Sequence, residues 1–271
     1  MKKLALAILL FLPLLPCRAA DYAKLDSLLS LFYVNLSAAG MDEKCAELDG
    51  LISACRDSLT RQHVALQIFE HYKEPPVMGD EEVAVRLYDK WIATGAVQLP
   101  GEFASVEARM FADFNRSTLI GAEAPEIGLT DRCGKTVRIP SEGRTSILFF
   151  YDTACGKCKL EAKVLPGILE DADFAADFHA VYCGSDRKSW REFRRKFKVR
   201  NRNITLHHLW DPEVESDYIK LYGVISTPKL YLITPDGLVA GRRLEPESLQ
   251  QLFPLAKTIA DTYEKTQKHV D

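Results

Sequence analysis

The hydrophobic positions in the first part of the chain recur at helical spacing. From about Asp21 to Asn115, apolar residues fall three or four positions apart, which is typical of amphipathic helices packed on a core. Glu74-Pro75-Pro76 ends one of these helices, and two more are predicted over 80–94 and 102–115. The pattern therefore predicts a small domain of four or five helices.

After Leu119-Ile120-Gly121 the pattern changes to short apolar runs that alternate with helices. Residues 146–151 form a continuous apolar run, as expected for a strand that is buried on both faces. This alternation, with hairpins at both ends, predicts a mixed α/β sheet of four to six strands flanked by helices. The other predicted strands are 124–130, 136–139, 178–183, 204–210, 229–234 and 238–242, and the other predicted helices are 188–199, 213–221 and one from 245 onward.

Residues 1–19 have the pattern of a secretory signal. Lys2-Lys3 precede a short apolar core, and Cys17-Arg18-Ala19 offers small residues for cleavage. The apolar core is too short to span a bilayer comfortably. We therefore expect an exported protein with a helical domain over 20–116 and a second domain over 117–271.

Lipid attachment at Cys17 is the alternative fate of this segment. Pro16 precedes the cysteine where a small residue is expected, so the cleaved form is preferred over the lipid-anchored one.

The charge pattern makes a nucleic-acid-binding protein an unfavoured hypothesis, since the net charge is −3. One basic segment, 187–202, holds nine Lys or Arg residues against a single acid, Glu192. Trp190, Phe193 and Phe197 recur at helical spacing there, so we expect the aromatic residues to face the sheet and the basic residues to face solvent. A docking surface for an acidic protein partner is the alternative.

The sequence Cys155-Gly156-Lys157-Cys158 stands where a predicted strand ends and a helix begins. A CxxC at such a junction indicates reversible thiol–disulfide chemistry. Unpaired N–H groups and the helix dipole favour a thiolate at Cys155, and Cys158 follows one turn later on the same side. A zinc site and a structural disulfide are the alternatives. No second Cys or His pair stands at zinc-site spacing, so no metal is expected.

The remaining cysteines leave several hypotheses open. Cys45 and Cys55 would lie ~15 Å apart in one continuous helix, which is too far for a disulfide. Asp49-Gly50 could break that helix and let them meet, so a bonded pair and two buried free thiols both remain open. Cys183 ends a predicted strand. It is either an auxiliary thiol near the CxxC or a small buried apolar residue, and both interpretations remain open. Cys133 lies in a hairpin turn and is expected to be peripheral.

These motifs resemble the thioredoxin superfamily, in the TlpA/ResA-like branch of exported thiol–disulfide oxidoreductases. The resemblance rests on the strand–CxxC–helix unit, on residues 223–233 around Thr227-Pro228, and on Ala124-Pro125 before a hairpin. It implies a thioredoxin fold over roughly 119–270. The preceding all-α domain is similar to a domain of unknown function in some Gram-negative exported proteins, which implies a periplasmic location.

The resemblance also implies roles for individual residues. Cys155 would be the attacking thiol and Cys158 the resolving thiol. Glu161, one turn after the CxxC, would accept the proton of Cys158. The alternative for Glu161 is a solvated acid paired with Lys157 or Lys163.

The same resemblance implies a substrate groove beside the thiols. Pro228 would be cis and shape the groove, Thr227 would lie against the disulfide, and Gly156 and Lys157 would line the other side. Lys157 is a cation between the thiols, so we expect it to favour the thiolate. Stabilising the reduced form in this way would make the protein less reducing than thioredoxin.

The leading functional hypothesis is therefore an exported protein disulfide reductase. Its partners would be disulfide-bonded proteins and a membrane electron donor, and it would need no cofactor. A peroxidase is a second hypothesis, but Asp152 stands where a peroxidatic site usually has Thr or Ser. A binding module formed by the helical domain on a redox-fold scaffold is the third. The sequence does not indicate an oligomeric state.

Overall fold

The structure is a computed structural model that describes residues 19–268, so residues 1–18 of the predicted signal lie outside the described residues. The chain divides into two compact units, one up to Arg116 and one from Ser117 onward. Within 19–268, none of the helices has the length and hydropathy needed to cross a membrane.

The first unit has helices and no strand over its described residues, as its hydrophobic spacing predicts. A turn of π-helix, Tyr88–Ile92, follows the fourth helix, so the segment predicted as one helix over 80–94 has an irregular second half. Asp57 caps the third helix by accepting a hydrogen bond from the Thr60 N–H at 2.8 Å. The helices are α1 Ala19–Leu36, α2 Met41–Ala54, α3 Ser58–Lys73, α4 Glu81–Leu87 and α5 Gly101–Asn115.

The core of this unit contains a buried ion pair. Leu29, Ile52 and Ile68 come from three different helices and pack in one apolar cluster. Lys44 is 3% exposed, and its ammonium donates to both carboxylate oxygens of Asp80 at 2.6 and 2.7 Å. Both buried charges are therefore satisfied by each other.

Cys45 and Cys55 are free thiols in this unit. Helix α2 continues without a break through Asp49-Gly50, so the turn that would bring the two cysteines together does not form. Burial raises the pKa of each thiol to about 11. The sequence left open a disulfide or two free thiols, and in the structure both thiols are free.

The second unit is built on a mixed sheet of seven strands in the order β2-β1-β5-β4-β3-β6-β7. Strands β3, β4 and β5 are parallel to one another, and the remaining pairs are antiparallel. The expected four to six strands were too few because both arms of both hairpins join the sheet. The strands are β1 Ile127–Thr130, β2 Thr136–Ile139, β3 Thr145–Tyr151, β4 Ala176–Tyr182, β5 Ile204–Trp210, β6 Lys229–Ile233 and β7 Val239–Gly241.

Helices cover the sheet, and two of them are shorter than predicted. The helix predicted over 188–199 ends at Lys196. The helix predicted over 213–221 is a single turn, because the Asp211 carboxylate accepts hydrogen bonds from the N–H groups of Glu215 and Ser216 and holds a turn there. The final helix breaks at Leu252, and Pro254 lies in the first turn of the next segment. The helices are α6 Gly156–Glu170, α7 Arg187–Lys196, α8 Tyr218–Leu221, α9 Pro246–Gln251 and α10 Phe253–Gln267.

Strand β3 separates two apolar clusters and is buried along its whole length. Phe149 and Tyr151 pack in the cluster that contains Cys158, and Phe150 packs in the cluster on the opposite face. Trp190 and Phe197 of the basic segment are buried in the first cluster, so the aromatic residues face the sheet as predicted. A strand held on both faces gives a fixed base for the residues that follow it.

Candidate active site

The CxxC begins helix α6 immediately after the turn that ends β3. The Asp152 carboxylate accepts a hydrogen bond from the Ala154 N–H at 2.7 Å, and the Asp152 carbonyl accepts from the Cys155 N–H at 3.3 Å. This aspartate-centred turn places Cys155 at the N-cap of α6. The first cysteine therefore lies among unpaired N–H groups of the helix end, as predicted.

The sulfur of Cys155 lies in a set of polar contacts. It accepts a hydrogen bond from the Cys158 N–H at 3.1 Å and lies 3.3 Å from the carbonyl oxygen of Thr227. Burial alone would raise the pKa of this half-buried thiol. Hydrogen bonds from the side chain and the backbone N–H of Cys158 outweigh that effect, so the pKa of Cys155 lies below its ordinary value.

The second sulfur has the opposite environment. Cys158 is 2% exposed and packs in the apolar cluster under the sheet. Burial, with a further contribution from the neighbouring Cys155 sulfur, raises the pKa of Cys158 to about 12. The pKa of Cys155 is therefore lowered and that of Cys158 is raised, as a nucleophile and a protected partner thiol would require.

The segment before β6 forms the other wall of the site. The Thr227–Pro228 peptide bond is cis, and the Thr227 carbonyl contacts the Cys155 sulfur. Lys229 follows directly and pairs with Phe150 of β3, which fixes this segment beside the CxxC. Ile225, two residues before Thr227, is 65% exposed and leaves an apolar surface next to this wall.

Glu161 is buried one turn after Cys158. It is 6% exposed, and its Oε1 lies 3.8 Å from the ammonium of Lys157 while its Oε2 has no hydrogen-bond partner among the described residues. The pKa of Glu161 is raised to about 7, mainly by burial. Lys157 opposes this shift, and Glu245 and Glu247 contribute to it. The carboxyl group can therefore gain or lose a proton near neutral pH.

The Lys157 ammonium pairs with carboxylates, and its expected effect on the Cys155 thiolate stays a prediction. The ammonium pairs with Glu245 at 3.0 Å and with Glu161 at 3.8 Å, so it is directed to carboxylates rather than to the sulfur. Lys157 lowers the pKa of Cys155 through its backbone N–H. The partner that diverts its side chain, Glu245, lies 88 residues further along the chain.

Two other cysteines of this unit are not part of the CxxC. Cys183 packs with the apolar cluster on the opposite face of the sheet, and burial raises its pKa to about 12, so it is disfavoured as a thiolate. The packing of Cys183 in this cluster agrees with one of the two roles considered from the sequence, that of a small apolar residue. Cys133 is exposed in the β1–β2 turn.

Three residues of the site were missed at the sequence level. Asp152 forms the turn before Cys155, Glu245 holds Lys157, and Lys229 is half-buried beside the cis peptide. Burial, then Arg243, Arg242 and Lys157, lower the pKa of Lys229. An Asp three positions before the first cysteine is a turn signal that could have identified Asp152. No local signal marks the other two.

No group of three or more His, Cys, Asp or Glu side chains within 19–268 is arranged to hold a metal ion.

Comparisons with known proteins agree with this fold. Residues 120–242 match the model of the AhpC/TSA family. A thioredoxin-like protein from Bacteroides caccae superposes with a TM-score of 0.65 at 12% identity, covering 86% of this chain and 84% of that chain. No curated protein matches the chain at a significant level. The predicted thioredoxin fold with preceding helices is confirmed.

Two further solved structures match about half of the chain. The thioredoxin domain of a thiol-disulfide oxidoreductase from Bacteroides vulgatus is 18% identical, covers 52% of this chain and 97% of its own, and has a TM-score of 0.44. A thiol:disulfide interchange protein from Bacteroides sp. is 21% identical, covers 52% of this chain and 92% of its own, and also has a TM-score of 0.44.

Proposed function

We propose that this chain, whose second unit is a domain of the thioredoxin superfamily, is a thiol–disulfide oxidoreductase that works through Cys155 and Cys158. The observation that carries the proposal is the difference between the two sulfurs. Cys155 is half-buried with a lowered pKa, and Cys158 is buried with a pKa raised to about 12. Cys155 is thus suited to be the attacking thiolate, and Cys158 stays protonated until it resolves the mixed disulfide.

The first step is attack of the Cys155 thiolate on one sulfur of a client disulfide. The client S–S bond breaks, its other sulfur leaves as a thiolate that takes up a proton, and a mixed disulfide with Cys155 remains. Cys158 then loses its proton and attacks the Cys155 sulfur, which releases the second client thiol. Two electrons pass from the dithiol to the client, and the Cys155–Cys158 disulfide forms.

Glu161 is proposed to take the proton of Cys158 in the second step. A raised pKa of about 7 makes its carboxylate a stronger base than an ordinary glutamate. Its unpartnered Oε2 leaves one oxygen free to accept that proton. A surface acid paired with Lys157 would have neither property.

The client backbone is proposed to lie along Thr227 and Pro228, with Gly156 and Lys157 on the opposite side. The Thr227 carbonyl contacts the attacking sulfur, so a chain held there would present its disulfide to Cys155. The exposed apolar side chain of Ile225 adds a surface for a partly unfolded client.

The direction of transfer is proposed to be reduction of exported proteins in the periplasm, after cleavage of the signal at residues 1–19. A membrane electron donor would then reduce the Cys155–Cys158 disulfide again. The proposed location rests on the signal-like pattern of residues 1–19. The proposed direction and electron donor rest on the resemblance of the motifs to the TlpA/ResA-like branch.

A redox titration of the chain from Ala20 onward tests the proposal, with the thiols read by alkylation and mass spectrometry. We expect one two-electron transition that involves Cys155 and Cys158 and leaves Cys183 reduced. A midpoint well below about −200 mV supports a reductase, and one near about −120 mV makes it an oxidant of client thiols. If the two cysteines never cycle as a pair, the proposal fails.

Peroxide reduction is the second candidate, because residues 120–242 match the AhpC/TSA family. It would require the Cys155 thiolate to attack a peroxide oxygen and form a sulfenic acid, with water or an alcohol leaving. In the Cys158→Ser variant that sulfenic acid would accumulate within seconds of peroxide addition. We expect slow oxidation instead, because Asp152 stands where a peroxidatic site usually has a hydroxyl side chain.

A further inference from the structure

The outer edge of strand β5 is open. On one side β5 pairs with β4 along its whole length, from Ala176↔Ile204 to Tyr182↔Trp210. On the other side β1 pairs with it at a single position, Thr130↔Trp210. Residues 204–209 therefore have no neighbouring strand on that side within the described chain. The Ile204 N–H already donates to the Asn201 carbonyl, so the outward N–H and C=O groups that can pair with another strand belong to residues 205–209.

A positively charged groove runs beside this open edge. Its volume is about 510 Å³, and its floor is formed by the β5 residues 206–209. Arg132 in the β1–β2 turn and Arg194, Arg195 and Lys198 on the α7 side supply four cations. Among the residues that line the groove, Asp131 is the one acid, and its carboxylate is already occupied by the N–H groups of Cys133 and Lys135.

The cations of this region have no compensating acids. None of the nine Lys and Arg residues in 187–202 forms an ion pair within residues 19–268, whereas Lys73, Arg86 and Arg116 each pair with two carboxylates. Uncompensated like charges repel one another and favour an anionic partner. Arg194 lies 4.6 Å over the Trp190 ring, which holds its guanidinium in place before any partner arrives.

We propose that this edge binds an acidic segment of a protein partner in an extended conformation, which adds a strand to β5. Main-chain hydrogen bonds to residues 205–209 would supply affinity. Because side chains alternate along a strand, acids at every second position of the partner would face the cations of the groove. A nucleic acid has the charge but cannot form the strand ladder.

The proposed surface is separate from the thiol chemistry. Neither Cys155 nor Cys158 lines the groove. Binding is therefore expected to be the same in the Cys155→Ser variant, and the proposal stands or falls independently of the redox function.

The test is fluorescence anisotropy with the Cys155→Ser chain from Ala20 onward and a labelled peptide of alternating Glu and Val. A peptide of about eight residues has the length of an ordinary strand. We expect saturable binding that weakens as salt rises. The same peptide with N-methyl groups on alternate residues keeps every charge but loses ladder hydrogen bonds, and we expect it to bind about tenfold more weakly.

A matched pair of protein variants locates the site. The double variant Arg195→Glu/Lys198→Glu reverses two charges in the groove and is expected to weaken binding about tenfold. The control Arg187→Glu/Lys188→Glu reverses two charges at the other end of α7, outside the groove, and is expected to change binding less than about twofold. Circular dichroism checks that both variants keep their fold.

Four results would overturn the proposal. Equal losses in the two double variants, or equal binding of the N-methylated peptide, would mean diffuse charge attraction without strand addition. Tighter binding of a single-stranded oligonucleotide of equal charge would make the basic segment a nucleic-acid surface. No binding of the acidic peptide would mean that the cations only protect an exposed edge from aggregation.

Discussion

The helical unit and the α/β unit each bury an ionisable group, and they treat it in opposite ways. In the helical unit the Lys44 ammonium donates to both oxygens of Asp80 at 2.6 and 2.7 Å. In the α/β unit Glu161 is 6% exposed, is 3.8 Å from its nearest cation and has one oxygen without a partner. A fully paired buried charge is satisfied by its partner, whereas an incompletely paired one retains a proton equilibrium that chemistry can use.

The cysteines of the two units differ in the same way. Cys45 and Cys55 sit where burial raises the pKa of each to about 11. Cys155 sits at a helix N-cap, where hydrogen bonds to its sulfur lower its pKa despite burial. Burial thus raises the pKa of both helical-unit thiols, whereas Cys155 of the α/β unit has the lowered pKa that the proposed nucleophile requires.

The largest effect is expected from removing the nucleophile. Cys155→Ser should lower the rate of insulin disulfide reduction by about a thousandfold or more, because a hydroxyl does not form the mixed disulfide. The matched control Cys55→Ser removes a thiol from the helical unit and should leave the rate within about twofold. An equal loss of rate in both variants would contradict the proposal that Cys155 is reactive and Cys55 is not.

The next effect is on stability. Lys44→Met leaves Asp80 buried without its partner and should lower the free energy of unfolding by about 3 to 5 kcal/mol, measured by urea denaturation. The double variant Lys44→Met/Asp80→Leu removes both charges and should recover most of that loss. If the double variant is no more stable than the single one, the cost comes from packing rather than from the unpaired charge.

Several parts of the fold were predictable because their signals are local. Strands Thr136–Ile139 and Ile204–Trp210 have the predicted bounds, since alternation and turn residues mark them. The N-cap position of Cys155 was predictable for the same reason. The helix predicted from Glu213 failed because the Asp211 side chain competes for backbone N–H groups, an interaction that hydrophobic periodicity does not register.

The electrostatics of the site were less predictable because they depend on distant residues. The direction of the Lys157 side chain is set by Glu245, which α9 brings to the site from 88 residues away. The raised pKa of Glu161 needs both burial and the acids of that helix. The free state of Cys45 and Cys55 likewise depended on whether α2 continues through Gly50, which composition alone leaves open.

A pH-dependent effect on stability is expected from Glu161→Gln. The pKa of Glu161 is raised from 4.5 to about 7 in the folded chain. The folded state therefore holds more protons than the unfolded state between these values, so stability falls as pH rises through that window, by about 3 kcal/mol at most. The variant lacks this loss and should be more stable than the parent at about pH 8 and similar to it at about pH 4.

Two measurements on that variant separate stability from chemistry. Urea denaturation at both pH values gives the stability difference, and quenched-flow trapping of the mixed disulfide gives the rate of its resolution by Cys158. We expect the rate to fall while stability at about pH 8 rises. The control Glu170→Gln changes an exposed acid of the same helix. Glutamine keeps a side-chain oxygen for the Arg200 N–H that Glu170 binds at 2.6 Å, so this variant should alter neither. A gain in stability with an unchanged rate would restrict Glu161 to a structural role.

The smallest effect is expected from Glu245→Gln. The Glu245 carboxylate draws the Lys157 ammonium to 3.0 Å and repels the charge on Glu161. Its loss would leave Lys157 free to approach Glu161 and would remove a negative charge, and both changes lower the pKa of Glu161. The pH at which resolution of the mixed disulfide reaches half its maximum rate should therefore move downward by a fraction of a unit, with the maximal rate unchanged.

The control is Glu264→Gln, which changes an acid on α10 and should leave the pH profile unchanged. A shift upward would mean that Lys157 reaches Glu161 only when Glu245 holds it there, so that the three charges act as one network rather than as competing pairs.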